Sequence, residues 1–334
     1  MSLNILLTTP DYPPKRGGLS TFTLNIEKSL RSLANVDILV WNSINDLKNY
    51  QYRDNYDFVI HVHFMGGYFY RGPLAKQINF VHGSEIAMTS PVLIKRMAKK
   101  ILRPKIIQYF ESSFFNIFIS TFTLNHILKQ GLTSSFSRDL VFHNLIEIPE
   151  NIQNSHPQFD DDVLKFVCIA RDVPHKNIDG AIEWSHFLSH QLKRKVHLTI
   201  NAQREVHQDE FFSLTCLTEM SDEMRESLFQ NAHFNLLPSL CHEKQGFFEG
   251  FGLTVLEAGK YGTPSVVYSN QGGQQESVHH HFSGLVVENN DHLFELFKKL
   301  DKEKYLIMRN NTQAHTISCH DAKDYLGFFR RILV

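Results

Sequence analysis

Between Glu249 and Glu257 the chain reads Glu-Gly-Phe-Gly-Leu-Thr-Val-Leu-Glu, two carboxylates separated by glycines at 250 and 252. The stretch follows an apolar run that ends at Leu237-Pro238-Ser239 and leads into a helix that the pattern starts near Leu253. Glycine lets backbone approach a ligand closely, and the first turn of a helix offers unpaired N–H groups to phosphate oxygens. Glu249 precedes that helix and Glu257 lies about one turn inside it. The pair can therefore accept hydrogen bonds from hydroxyl-rich ligands at different points along one groove. Taken alone, Glu-Gly-Phe-Gly is more simply a turn whose first acid favours the helix dipole and whose second is solvated.

A second group carries the opposite charge. Phe166-Val-Cys-Ile-Ala-Arg171 is a strand, and Asp-Val-Pro-His-Lys176-Asn177 is the loop after it. Two fixed cations at a strand end can neutralise a diphosphate as it develops negative charge, work that a bound metal can also do. Alone they are more simply a solvated loop pair making a weak salt bridge. In the first half, Gly17 and Gly18 close the loop Pro10-Asp-Tyr-Pro-Pro-Lys-Arg-Gly-Gly, and Phe80-Val-His82-Gly-Ser-Glu85 ends another strand in an imidazole and an acid. His61 and His63 alternate onto one strand face without a third ligand for a metal, so they read as structural.

Together these segments make the chain resemble glycosyltransferase family 4, whose members have the GT-B fold. The family pattern is Pro-Ser, a variable loop, Glu-Gly-Phe-Gly-Leu, a second Glu eight positions after the first, then Ala-x-x-x-Gly-x-Pro-Val. Only Ser265 departs from it, standing in place of the last Val. The resemblance implies that Glu249 contacts the donor sugar and Glu257 the ribose hydroxyls. It puts the backbone of Phe251, Gly252, Leu253 and Thr254 near the diphosphate, with Arg171 and Lys176 stabilising the leaving group. Gly17 and Gly18 would face the diphosphate and acceptor, His82 would reach the sugar ring, and Glu85 would border the acceptor pocket. The implied reaction is transfer of a hexose from a nucleoside-diphosphate sugar to an acceptor hydroxyl, with retention and without a metal or other cofactor. It implies a glycan or lipid-linked acceptor, a place in bacterial surface glycan synthesis, and no nucleic acid. One departure is Asn201-Ala-Gln-Arg204, where the family usually has Gly-x-Gly. A non-catalytic nucleotide-sugar-binding subunit and a sugar-nucleotide epimerase of related fold are the alternatives.

The elements that must hold these residues are legible as a repeated alternation. Apolar runs at 3–8, 36–40, 58–62, 78–81, 114–120 and 140–143 alternate with helical spacing, as do 164–170, 196–200, 234–237, 265–268 and 284–287. Such alternation predicts parallel sheets with helices on both faces, and ligands beyond the strand carboxyl ends. The fold class is α/β of GT-B type, two Rossmann-like domains with parallel sheets facing across a cleft. The polar stretch 150–162 separates residues 1–155, an acceptor domain, from 156–318, a donor domain. Residues 319–334 are predicted as a helix packing back on the first domain.

At 334 residues the chain exceeds what one core usually organises, and its 42% apolar and 21% charged residues are those of a globular protein. Net charge is −1, yet residues 1–155 carry sixteen Lys/Arg against eleven Asp/Glu and the remainder eighteen against twenty-four. Four cysteines without paired spacing fit a reducing compartment and no zinc site. No signal peptide or spanning segment is read, so a cytoplasmic location is expected. Residues 92–103 combine an apolar stripe at 93, 94, 97, 98, 101 and 102 with cations at 95, 96, 99, 100 and 103. Such a helix either lies on an anionic membrane or faces a core, and the basic first half favours peripheral contact with the inner membrane face.

Overall fold

The computed structural model describes residues 3–333 except 16, 52–54, 87, 89–91, 134–137, 153–155 and 243, with backbone alone at 84, 93, 95, 96 and 98. The chain forms two compact units. One comprises Met1–Glu147, His242–Gly250 and Asp321–Val334, the other Ile148–Cys241 and Phe251–His320.

The first unit holds strands β1 (Leu3–Thr9), β2 (Ala34–Val40), β3 (Phe58–His61), β4 (Gln77–Val81), β5 (Phe115–Phe118) and β6 (Asp139–Val141). They pair in parallel in the order β2-β1-β3-β4-β5-β6. The second holds β7 (Val163–Cys168), β8 (Lys195–Ile200), β9 (Phe212–Cys216), β10 (Phe234–Leu237), β11 (Ser265–Tyr268) and β12 (Gly284–Val287). These too are all parallel, in the order β12-β11-β10-β7-β8-β9. Both sheets wind in two directions from an interior strand, so each has a point where the order reverses. It lies between β1 and β3 in one sheet and between β7 and β10 in the other. Loops diverge there and leave a crevice at the strand carboxyl ends.

The helices of the first half are α1 (Gly18–Arg31), α2 (Ile44–Asn49), α3 (Phe64–Phe69), α4 (Leu93–Ser112) and α5 (Thr121–Lys129). Those of the second are α6 (Ile178–Leu192), α7 (Asp222–Asn231), α8 (Leu253–Gly259), α9 (Asn290–Lys298) and α10 (Lys302–Cys319), followed by α11 (Asp324–Leu333). Ser43 and Ser120 cap α2 and α5 through their hydroxyls, and Ser221 caps α7 in the same way. The second core gathers Phe166, Trp184, Leu198, Phe234 and Tyr305, all fully buried or nearly so. Each such large apolar side chain contributes on the order of 1.5–3 kcal/mol of burial energy.

Three features depart from the sequence expectation. β9 is a strand where none was read, because Phe212 alone is buried and its neighbours are half-exposed at a sheet edge. α10 was likewise unread; its inner face carries Arg309, Thr312 and Thr316 beside Tyr305 and Met308, which hides the apolar period. The segment after 319 is a new helix only from Asp324, since α10 ends at Cys319. α11 lies in the first unit, where Tyr325 Oη accepts from Leu145 N at 3.1 Å and Phe328 stacks on Phe142 at 3.9 Å.

Candidate active site

In the second unit the expected cations stand at the β7–β10 reversal. Arg171 is exposed, lies three residues beyond β7, and its side chain has no ion-pair partner among the described residues. Lys176 ends a single 3-10 turn at Pro174–Lys176 and is half-buried. Asn177 next to it adopts the left-handed conformation (φ 51°) that lets the chain turn into α6. Two hydrogen bonds join this loop to the one leaving β10: Leu240 N donates to His175 O at 2.8 Å, and Asn177 Nδ2 to Pro238 O at 3.0 Å.

The loop after β8 holds the same corner from the other side. Asn201 Oδ1 accepts from Ala170 N at 2.8 Å. Arg204 places its fork on Asp172 at 2.7 and 2.9 Å and its Nε on Asp179 at 2.7 Å. Hydrogen bonds to Asp172 and then Asp179 push its own pKa further up. Arg204 occupies the fork of Asp172 and leaves the adjacent Arg171 without that competitor. Sequence reasoning treated 201–204 only as a departure; its partners are brought together by the sheet and carry no local signal. Below the loop, burial pushes the Cys168 thiol up to about 12, with Lys176 opposing, so this cysteine stays an uncharged core residue.

Gly252 is the N-cap of α8 in a left-handed conformation (φ 88°). A Cβ there would meet Leu237 Cδ2 at 3.0 Å and Gln274 Cβ at 3.2 Å, so both conformation and space select glycine. Phe251 is buried, Leu253 and Thr254 are half-buried, and Glu257 is half-buried with Arg225 Nη1 4.0 Å from its Oε1. Gln274 lies in the 3-10 turn Gly273–Ser277 that follows β11. It is fully buried, donates to Ser239 O at 3.2 Å, and keeps its Oε1 without a partner among the described residues. This buried acceptor beside Gly252 is a group that the sequence did not single out.

In the first unit, His82 and Glu85 follow β4. Glu85 Oε1 accepts from His82 N at 2.6 Å, fixing the turn. His82 Nε2 lies 2.8 Å from Val62 O, a bond that requires the proton on Nε2. Burial lowers its pKa, with Glu85 opposing, so the ring is neutral and its Nδ1 bears the lone pair. His61 is buried against Thr8, and His63 caps α3, so both serve structure. Gly17 (φ 152°) caps α1 and Gly18 is its first residue; no side chain caps the helix.

Glu249 belongs by its contacts to this unit, whereas the sequence boundary places it with 156–318. The cause is Phe248, which packs on Phe122 and His126 with ring centroids 5.3 and 4.6 Å apart and covers Gly83. Gly250 sits so close to the His82 carbonyl that a Cβ would lie 2.2 Å from that oxygen. Buried Glu249 is thereby held beside the turn carrying His82 and Glu85. Arg171, Lys176, Phe251, Gly252, Leu253, Thr254 and Glu257 gather in the second unit; Gly17, Gly18, His82, Glu85 and Glu249 belong to the first.

Two parallel six-stranded α/β units, each with its loops at a sheet reversal, define the fold of the GT-B glycosyltransferases. Residues 150–315, just under half of the chain, match the family model described as glycosyl transferases group 1. The chain is similar to sucrose-phosphate synthase of Thermosynechococcus elongatus, with 12% identity over 99% of this chain and 98% of that one, at a TM-score of 0.70. It is similar to a glycosyltransferase of Rickettsia africae, with 14% identity over 99% and 98% at a TM-score of 0.68. It is also similar to HepE of Anabaena, solved in complex with UDP and glucose, with 15% identity over 99% of each chain at a TM-score of 0.66. No match is found among curated protein sequences.

Proposed function

We propose that the protein is a retaining hexosyltransferase that uses a nucleoside-diphosphate sugar. The observation that carries this reading is the pairing of cations and glycine backbone at one sheet reversal. The Arg171–Lys176 loop is hydrogen-bonded to the Pro238–Leu240 loop, and Gly252 packs against Leu237. Arg171 and Lys176 neutralise the departing diphosphate, whose charge develops as the anomeric bond breaks. The backbone of 251–254 and the Gln274 carbonyl receive the phosphate and nucleoside side, and Glu257 accepts from the ribose hydroxyls. Glu249 orients the sugar hydroxyls, and neutral His82 offers Nδ1 as an acceptor to the sugar ring. Gly17 and Gly18 give uncapped amides to an oxyanion, and Glu85 serves the acceptor side. The departing phosphate takes the acceptor proton, so no side chain is assigned as general base, and the fixed cations make a metal unnecessary for the transfer.

The acceptor is a glycan or lipid-linked hydroxyl of a bacterial surface polysaccharide pathway. α4 supports the lipid-linked form: Ile94, Met97 and Ile101 are 78, 56 and 76% exposed, and exposed Lys100 and Arg103 flank them. Of the others, Leu102 is half-buried against the core that holds Phe110, Lys99 is half-buried, and the side chains at 93, 95, 96 and 98 lie outside the described residues. No described helix is long and apolar enough to cross a membrane, so this contact would be peripheral.

A panel of nucleoside-diphosphate sugars measured by thermal shift tests the donor assignment. One ligand should raise the unfolding temperature of the wild type, and Glu257→Ala should lose most of that shift. An equal shift in the variant removes Glu257 from the ribose. A binding subunit would bind the donor yet never hydrolyse it, and an epimerase would convert the sugar without any acceptor.

A further inference from the structure

The parallel neighbours β8 and β9 are joined without a helix. Residues 201–211 run from the carboxyl end of β8 to the amino end of β9. Side chains at both ends tie that segment to α6. Near the carboxyl end Arg204 reaches Asp179; near the amino end Asp209 reaches His186 and His190.

His186 and His190 are one turn apart on α6, so their imidazoles share a face. Asp209 Oδ2 lies 2.9 Å from His190 Nε2 and 3.5 Å from His186 Nε2, and the three groups' ligand atoms all fall within 4.8 Å of one another. Around a tetrahedral ion with bonds of about 2.1 Å, neighbouring ligand atoms are about 3.4 Å apart, so small side-chain rotations suffice. The carboxylate is prepared on its far side. Its Oδ1 accepts from Phe211 N at 2.8 Å and Phe212 N at 2.9 Å, which aims Oδ2 at the histidines. A groove of about 510 Å³ beside these residues is also lined by His207.

We propose that His186, His190 and Asp209 bind a divalent transition ion of the zinc class, which staples the β8–β9 connection to α6. Two imidazoles and one carboxylate suit such an ion better than calcium or magnesium, which prefer oxygen. The site is separate from the transfer chemistry. α6 runs back from the Lys176 loop, so His190 and Asp209 lie toward the amino ends of the strands, whereas Arg171 and Gly252 stand at the carboxyl ends.

The test titrates Zn²⁺ into the chelator-treated full chain, with Co²⁺ absorption as a second readout. One equivalent should bind the wild type and raise its unfolding temperature. His186→Ala and His190→Ala should each weaken binding by more than the roughly 10–100-fold that loss of an outer-shell partner costs. His281→Ala, in the exposed His279–His281 run, should bind as the wild type does. Both helix variants alter half-exposed side chains (44 and 42%), and circular dichroism checks their folding. Absence of saturable binding to the wild type, or unchanged stoichiometry and affinity in the His186→Ala/His190→Ala double variant, would overturn the proposal.

Discussion

At the scale of single residues, the reading turns on charged and polar groups held where one sheet reverses. Lys176 is the sharpest case, because a fixed charge at a leaving diphosphate acts mainly in the transition state. Lys176→Ala is expected to lower donor turnover by about 10²–10³-fold with little change in donor affinity. Equal turnover in steady-state kinetics would exclude the role. Lys176 and Arg171 could be read from the chain because a cation just after a buried strand stands out from the apolar run. Arg204, Arg225 and Gln274 could not. Each matters through a partner far away in sequence: Arg204 through Asp172, Arg225 through Glu257, Gln274 through Ser239. Nothing local distinguishes them from other polar loop and helix residues. The histidine–aspartate group was missed for the same reason, its members being divided between a helix and a turn about twenty residues further on.

Among the elements, α8 and its entrance depend on one backbone conformation. Gly252→Ala would have to hold φ near 88° and displace Leu237 or Gln274. The left-handed conformation alone costs roughly 1–2 kcal/mol, and chemical denaturation should show a loss of at least that size. Donor binding should weaken with it; a variant as stable as the wild type would contradict the crowding described. α4 carries the membrane prediction. Replacing Ile94 and Ile101 by Ser should reduce co-sedimentation with vesicles of anionic lipid and leave donor binding in solution unchanged. Equal sedimentation would remove α4 from any lipid contact. The strands with continuous apolar runs, such as β3, β4 and β10, were legible because burial on both faces leaves that run in the sequence. β9 lacked the run, being at an edge. α10 lacked the period, since Arg309 is satisfied deep in the structure by the Ala232 and Tyr261 carbonyls.

For the molecule as a whole, each unit encloses neutral histidines that acid must eventually charge. In the second unit His233 Nδ1 accepts from Lys165 N at 3.0 Å and its Nε2 donates to Gln158 O at 2.8 Å. A second proton would set N–H against N–H, and burial lowers this pKa to about 4. Burial lowers that of His61, in the first unit, to about 3. The unfolded chain takes up these protons near the ordinary value of about 6.5, so stability is full above that pH and falls below it. Between about pH 6.5 and 5 the loss should approach ~1.4 kcal/mol per pH unit for each histidine, and His233→Gln should flatten the profile. A stability that does not change over that range would refute the assignment. The division of the chain has a further consequence, for synthesis. The first core is closed by Tyr325, Phe328 and Phe329, which are encoded after the entire second unit. A growing chain therefore reaches a folded second unit while the first still lacks a wall. During that interval the apolar face that α11 will cover is open to chaperones, so the protein's yield in a cell should depend on them more than its equilibrium stability would suggest.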